Sequence, residues 1–131
     1  AGAERLAGGT FDGGHVRPTV LDGVPTDVRA WENEIFGPVL GLRTFASLDE
    51  AIELANGTPY GLQAGIFTRD LATAVTASER LEFGGVTVNE APTFRVDQMP
   101  YGGTKESGNT REGPHYTVRE MTEERMVVIK L

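Results

Sequence analysis

The chain has 131 residues and a formal net charge of −7, and this length fits one domain or part of a larger one. Its composition, 39% hydrophobic and 24% charged, is typical of a globular protein rather than a disordered chain. The acidic balance argues against a general nucleic-acid binder, because phosphate contacts need a basic face. The absence of cysteine excludes a disulfide framework, a thiolate metal site and a cysteine nucleophile within these residues.

The sequence also argues against a membrane segment and a metal site. No stretch reaches the ~20 apolar residues that a membrane helix needs, and residues 1–9 lack the apolar core of a signal peptide. The two histidines, His15 and His115, lie far apart in sequence, which disfavours a multi-histidine metal site. We therefore expect a cytoplasmic domain.

Strand-like and helix-like segments alternate along the first half of the chain. Residues 16–21 predict a short strand, and Pro18 within it favours an edge position. Residues 39–45 predict a second strand. Ser47 and Glu50 have the spacing of a capping box, and the helix that they open is ended by an Asn-Gly pair.

The second half continues the alternation. Residues 64–68 predict a strand, Asp70 is suited to cap a second helix with Ala74 on its inner side, and residues 86–89 predict a buried strand. A long loop follows over residues 91–108, and loops of that size are usually functional or disordered.

The chain is predicted to close with a helix and a strand. The helix covers residues 110–121, with Pro114 tolerated only in its first turn. Residues 125–131 predict an apolar strand that would leave an exposed edge unless it joined its own sheet or a neighbour's. The alternation predicts an α/β fold with a mostly parallel sheet covered by helices.

Two glycine tracts, residues 7–10 and 102–105, superficially resemble phosphate-binding loops. Neither has the flanking strand and helix start that such a loop needs, so both are interpreted as turns. This makes an independent nucleotide-binding protein the weakest hypothesis.

A carboxylate and an aromatic ring two residues apart, Glu34 and Phe36, precede the strand at residues 39–45. In an extended segment such side chains project to the same face. A carboxylate can accept two hydrogen bonds from a ribose diol, and a ring can pack on a flat heterocycle. The plainer interpretation, a surface glutamate next to a core phenylalanine, is favoured by the spacing alone.

The long loop carries Phe94, Arg95 and Tyr101 among its glycines and prolines. Aromatic and cationic residues on such a loop are typical of a substrate entrance. The alternative is an ordered surface loop whose glycines satisfy turn geometry.

Ordered blocks across nearly the whole chain resemble the NAD(P)-dependent aldehyde dehydrogenases. The blocks are WENEIFGPV at 31–39, ANGTPYGL at 55–62, AGIFT at 64–68, GVTVN at 85–89, MPYGGTKESG at 99–108 and REG at 111–113. No single block is decisive, whereas the ordered set is highly specific.

The resemblance covers only the C-terminal part of such an enzyme. It implies that residues 1–123 are the later portion of the catalytic domain, and that residues 124–131 form a terminal strand that pairs with a neighbouring subunit in a homo-oligomer. The family's nucleophilic cysteine, general-base glutamate and oxyanion-hole asparagine precede the matching segment. The resemblance therefore implies that no catalytic residue lies in this chain, which should be inactive alone.

Residue roles follow by resemblance. Glu34 matches the glutamate that binds the nicotinamide-ribose hydroxyls of NAD or NADP, and Phe36 matches the ring near the nicotinamide. Asn33 departs from the family, which often has a second glutamate there.

On the same basis, Phe94, Arg95 and Tyr101 match the loop that lines the aldehyde entrance. A guanidinium at Arg95 could pair with an anionic group of the substrate. This suggests small anionic or hydroxylated aldehydes, as in lactaldehyde-like or phosphorylated-aldehyde members. Alternatively, Arg95 pairs with Asp97 or Glu90 and only holds the loop.

The resemblance thus predicts part of an oxidoreductase that converts an aldehyde into a carboxylic acid through a cysteine thiohemiacetal and thioester. The alternative is a truncated, non-catalytic module that associates with full-length subunits through its last strand.

Overall fold

A computed structural model describes residues 2–131 and divides the chain into two compact units, Ala1–Pro59 and Tyr60–Leu131. None of the helices in this described part is long and apolar enough to cross a membrane.

The first unit is built around a three-stranded sheet. Its elements are β1 Glu4–Ala7, β2 Phe11–Asp12, β3 His15–Val16, β4 Thr19–Asp22, α1 Arg29–Glu32, β5 Val39–Leu42 and α2 Leu48–Asn56. The sheet order is β1-β4-β5, with β1 antiparallel and β5 parallel to β4, and β2 pairs with β3 as a separate antiparallel ladder. The structure shortens the predicted strand at 39–45 to the four residues of β5.

The predicted edge position for the strand near Pro18 is wrong, because β4 is the central strand of its sheet. Pro18 lies just before β4, so its missing N–H removes no bond from the ladder. The first residue of the strand, Thr19, donates its backbone N–H to the Pro38 carbonyl at 2.8 Å.

The predicted cap of α2 is confirmed. The Ser47 hydroxyl accepts the Glu50 N–H at 3.2 Å, and the Glu50 carboxylate accepts the Ala46 N–H at 2.7 Å. This differs slightly from the usual capping box, in which the carboxylate returns to the cap residue itself. Ile52 is the buried residue of the helix.

The second unit contains two short ladders. Its elements are β6 Tyr60–Gly61, β7 Gln63–Ile66, α3 Leu71–Arg80, β8 Gly85–Val88, β9 Thr104–Lys105 and α4 Pro114–Glu120. β7 and β8 are parallel, and β6 and β9 are antiparallel. The tract at 102–105 therefore contains a strand and is not simply a turn, while Gly8 and Gly9 have the positive φ of a turn.

Both predicted helices of the second unit form. The Asp70 carboxylate accepts the Thr73 N–H at 2.7 Å and caps α3, where Ala74 and Ala77 are buried. Pro114 occupies the first turn of α4, where its missing N–H costs no helical bond.

A close backbone approach explains the glycine that follows α3. A Cβ atom at Gly84 would collide with the carbonyl oxygen of Gly102. Glycine therefore lets the turn between α3 and β8 lie against the segment that leads into β9.

Three other fold predictions need correction. Two of the five ladders among residues 2–131 are parallel and three are antiparallel, so the sheets are mixed rather than mostly parallel. β8 is half-buried rather than buried. The helix predicted over residues 110–121 begins only at Pro114. Residues 125–131 form no ladder with other residues of the described chain, and their pairing with a neighbouring subunit stays a prediction.

Candidate functional site

In the first unit, the loop of residues 33–38 presents Glu34 and Phe36. The loop joins α1 to β5, and its backbone is tightened by hydrogen bonds from Gly37 N–H to the Ile35 carbonyl at 2.7 Å and from Val39 N–H to the Gly37 carbonyl at 2.8 Å. Phe36 is 96% exposed, so the interpretation of a core phenylalanine is wrong for the described chain.

Glu34 is also exposed, and it makes no hydrogen bond or ion pair with the residues that the structure describes. The exposed carboxylate gives the loop a charged acceptor for a ligand, and the exposed ring gives it a flat apolar surface. These two groups fit the ribose and the flat ring of a nicotinamide nucleotide.

Trp31, just before this loop, lies close to Arg43, just after β5. The guanidinium carbon of Arg43 lies 6.0 Å from the centroid of the Trp31 ring, and its Nη1 donates to the Val24 carbonyl at 2.9 Å. Trp31 precedes the loop and Arg43 follows β5, so the contact joins α1 to the residue after β5.

In the second unit, Arg95 is held by Tyr101 and Glu112. The guanidinium carbon lies 4.3 Å from the centroid of the Tyr101 ring, and Nη2 lies 3.2 Å from Oε2 of Glu112. Tyr101 and Glu112 are themselves joined by two backbone hydrogen bonds, of 3.1 and 2.6 Å. The guanidinium is therefore oriented by two residues of one backbone bridge.

The predicted partners of Arg95 were wrong. The structure places neither Asp97 nor Glu90 in an ion pair with it, and the Glu90 carboxylate instead accepts the Ala91 N–H at 2.8 Å. Sequence reasoning missed Glu112 because 17 residues separate it from Arg95, and no local pattern links two positions that far apart.

Arg95 borders two depressions in the second unit. One, of about 680 Å³, runs along α4 and includes Asp97, Glu112 and Met121 in its lining. The other, of about 370 Å³, is lined by Leu62, Gln63, Pro92, Thr93, Arg95 and Tyr101. Phe94 is 46% exposed on the same loop but lines neither depression.

The predicted site residues are thus divided between the units. Glu34 and Phe36 belong to the first, and Phe94, Arg95 and Tyr101 belong to the second. Over residues 2–131, histidines and carboxylates form no cluster of three that could hold a metal ion.

Comparison with known proteins identifies the family. The sequence profile of the Aldehyde dehydrogenase family matches residues 1–127. The chain therefore belongs to the aldehyde dehydrogenase family.

Two curated relatives show how much of such a protein the chain represents. It is 47% identical over 130 residues to the 3-sulfolactaldehyde dehydrogenase of Priestia aryabhattai, covering 99% of this chain and 27% of the relative. It is 44% identical over 128 residues to the lactaldehyde dehydrogenase of Methanococcus maripaludis strain C7, covering 98% and 27%. The chain spans about a quarter of the length of these relatives.

Solved structures match as well. Aldehyde dehydrogenase 21 of Physcomitrella patens with the product succinate is 47% identical, with a TM-score of 0.89 over 93% of this chain and 25% of that one. Glyceraldehyde-3-phosphate dehydrogenase GapN of Methanocaldococcus jannaschii with NADP is 41% identical, with a TM-score of 0.84 over 92% and 26%. An indole-3-acetaldehyde dehydrogenase with NAD⁺ is 40% identical, with a TM-score of 0.91 over 99% and 27%.

Proposed function

We propose that this chain is the C-terminal portion of an enzyme that oxidises an aldehyde to a carboxylic acid with NAD⁺ or NADP⁺. Family membership supports this proposal, and so do the solved relatives with NAD⁺ and with NADP. The observation that supports this function most directly is the loop of residues 33–38, where an exposed ring and an exposed carboxylate are accessible to a cofactor.

In this proposal Glu34 accepts hydrogen bonds from the nicotinamide-ribose hydroxyls, and Phe36 packs against the nicotinamide side. Both residues orient the cofactor rather than transfer protons, so their contribution is one of proximity. The bound cofactor supplies the acceptor for the hydride.

The remaining chemistry belongs to groups outside this chain. A cysteine thiolate there adds to the aldehyde carbon, and loss of hydride from that carbon leaves a thioester. Water then cleaves the thioester, releasing the carboxylic acid and the free thiol. This chain contributes no nucleophile, because it contains no cysteine.

The proposed substrate is a small aldehyde that carries an anionic group, with Phe94, Arg95 and Tyr101 at its entrance. The names of some relatives support an anionic substrate, since 3-sulfolactaldehyde, glyceraldehyde 3-phosphate and the product succinate are anionic, whereas lactaldehyde and indole-3-acetaldehyde carry no charge. The 37% exposure of the Arg95 side chain supports its assignment as the cation that binds this group.

Replacement of Arg95 tests this substrate class in the full-length product of the natural gene. For Arg95→Ala we expect kcat/KM to fall about tenfold to a hundredfold for an aldehyde bearing a sulfonate or carboxylate, because a charge-assisted hydrogen bond is lost. The kcat/KM for a neutral aldehyde of the same chain length should stay about the same as in the native enzyme. Arg69→Ala removes the same charge from the second unit outside both depressions and serves as the control. An equal fall for both aldehydes, or none, contradicts the proposal.

The alternative is a non-catalytic module that joins full-length subunits through residues 126–131. The exposure of Met126, Val127, Val128 and Ile129, each at least 70%, favours an association role. The intact mass of the natural gene product separates the two proposals. A long product that carries a cysteine supports the enzyme, and a short product supports the module.

A further inference from the structure

We propose that the substrate's anionic group occupies the depression lined by Gln63 and Thr93, where Arg95 donates hydrogen bonds to it. We further propose that the negative charge of Glu112, which is paired with Arg95, limits the preference for anionic aldehydes. This inference rests on the proposed function, in which an anionic aldehyde is the substrate.

The geometry makes the two sides of Arg95 chemically different. On one side, the depression along α4 carries the carboxylates of Glu112 and Asp97. On the other side, the lining residues besides Arg95 and Tyr101 are Leu62, Gln63, Pro92 and Thr93, none of which is charged. An anionic group is repelled by the first lining and not by the second.

The uncharged side also offers donors. The Gln63 amide has two N–H donors and the Thr93 hydroxyl has one, so together with the guanidinium they can serve the several oxygens of a sulfonate, phosphate or carboxylate. The guanidinium presents five donors, of which the ion pair with Glu112 uses only Nη2.

Glu112 has two separable effects on Arg95. Its carboxylate accepts the Nη2 hydrogen bond at 3.2 Å and so helps to orient the guanidinium over the Tyr101 ring. Its negative charge also offsets the charge of Arg95 and repels an incoming anion. Glutamine at this position keeps one acceptor oxygen, removes the negative charge and replaces the second oxygen by an NH2 donor.

Glu112→Gln in the full-length enzyme therefore tests the counter-charge. We expect the ratio of kcat/KM for a sulfonated aldehyde to that for a neutral aldehyde of equal length to rise about fivefold, because one nearby negative charge is removed at a partly exposed site. The gain should shrink at high salt. A role in structure alone would lower both kcat/KM values together and leave the ratio unchanged.

A second variant gives an effect of opposite sign. Thr93→Val removes one donor from the uncharged side and should lower the same ratio about threefold to tenfold. Glu79→Gln on α3 changes the net charge as Glu112→Gln does, outside both depressions, and should leave the ratio unchanged.

Inhibition by an anion that cannot react gives a second readout. Methanesulfonate should compete with the sulfonated aldehyde more strongly in Glu112→Gln than in the native protein, and dimethyl sulfone should show no such difference. An unchanged or weakened competition by methanesulfonate overturns the assignment of Glu112.

Failure of this inference is distinguishable from failure of the proposed substrate class. If Arg95→Ala leaves the anionic preference intact, the substrate proposal is wrong and this inference is lost with it. If Arg95→Ala abolishes that preference while Glu112→Gln does not raise it, only the counter-charge is wrong.

Discussion

Exposed side chains with few partners carry the chemistry proposed for this chain. Phe36 covers no core in its unit, and Glu34 has no partner among residues 2–131. Arg95 differs, because Tyr101 and Glu112 orient it before any ligand arrives. An oriented guanidinium loses less conformational entropy on binding an anion than a free one does.

At Glu34 we expect the cofactor to be bound more weakly once the charge is removed. Glu34→Gln should raise the KM for NAD(P)⁺ and the Kd for NAD(P)H about tenfold, because hydrogen bonds to a charged acceptor are among the stronger ones. Steady-state kinetics and a fluorescence titration of NAD(P)H measure the two quantities. The KM for aldehyde should change little.

Glu32→Gln, two residues earlier at the end of α1, is the matched control. If both variants bind the reduced cofactor as the native protein does, the assignment of Glu34 is wrong.

At the scale of elements, local signals predicted the capped helices α2 and α3 well, whereas α1 was not predicted and α4 begins later than expected. The caps of α2 and α3 form at Ser47 and Asp70 as expected, because a cap depends on residues only three positions away. The strands were predicted less well. Whether β4 lies at an edge, or whether residues 125–131 pair at all, depends on segments far away in sequence.

The cap of α3 makes the stability of the protein vary with pH in the acidic range. The Thr73 hydroxyl and then the Thr73 N–H donate to the Asp70 carboxylate, and they lower its pKa below the ordinary value of 3.8. The cap's contribution is therefore complete above 3.8 and is lost as the pH falls through the lowered pKa.

Asp70→Asn separates the charge from the cap, since asparagine also caps helices well. Thermal unfolding should show that the native protein loses Tm relative to this variant as the pH falls below 3.8. A Tm difference that stays constant over that pH range contradicts the assignment.

At the scale of the whole molecule, the five apolar side chains of residues 126–131 are not covered by other residues of the described chain. Met126, Val127, Val128, Ile129 and Leu131 are each at least 70% exposed. Burial of even part of this surface against another subunit would be favourable, at roughly 25 cal/mol per Å² of apolar area. We therefore expect the tail to join a partner sheet edge.

Val128→Glu tests this expectation by placing a charge in the tail. The variant should shift the protein toward smaller species in light scattering coupled to gel filtration. Leu71→Glu, which alters a similarly exposed apolar residue on α3, should leave the assembly unchanged. If the native protein and both variants have the same mass, the tail is not the assembly element.

The sequence by itself determined the family, the helices α2 and α3 with their caps, and the candidate residues Glu34, Phe36, Phe94, Arg95 and Tyr101, because motifs and caps are encoded in neighbouring positions. Only the tertiary structure decided that β4 is central, that the ladders are mixed, and that Arg95 pairs with Glu112 rather than Asp97 or Glu90. These features join residues far apart in the chain. Their formation depends on which segments the fold brings together, which no local pattern specifies.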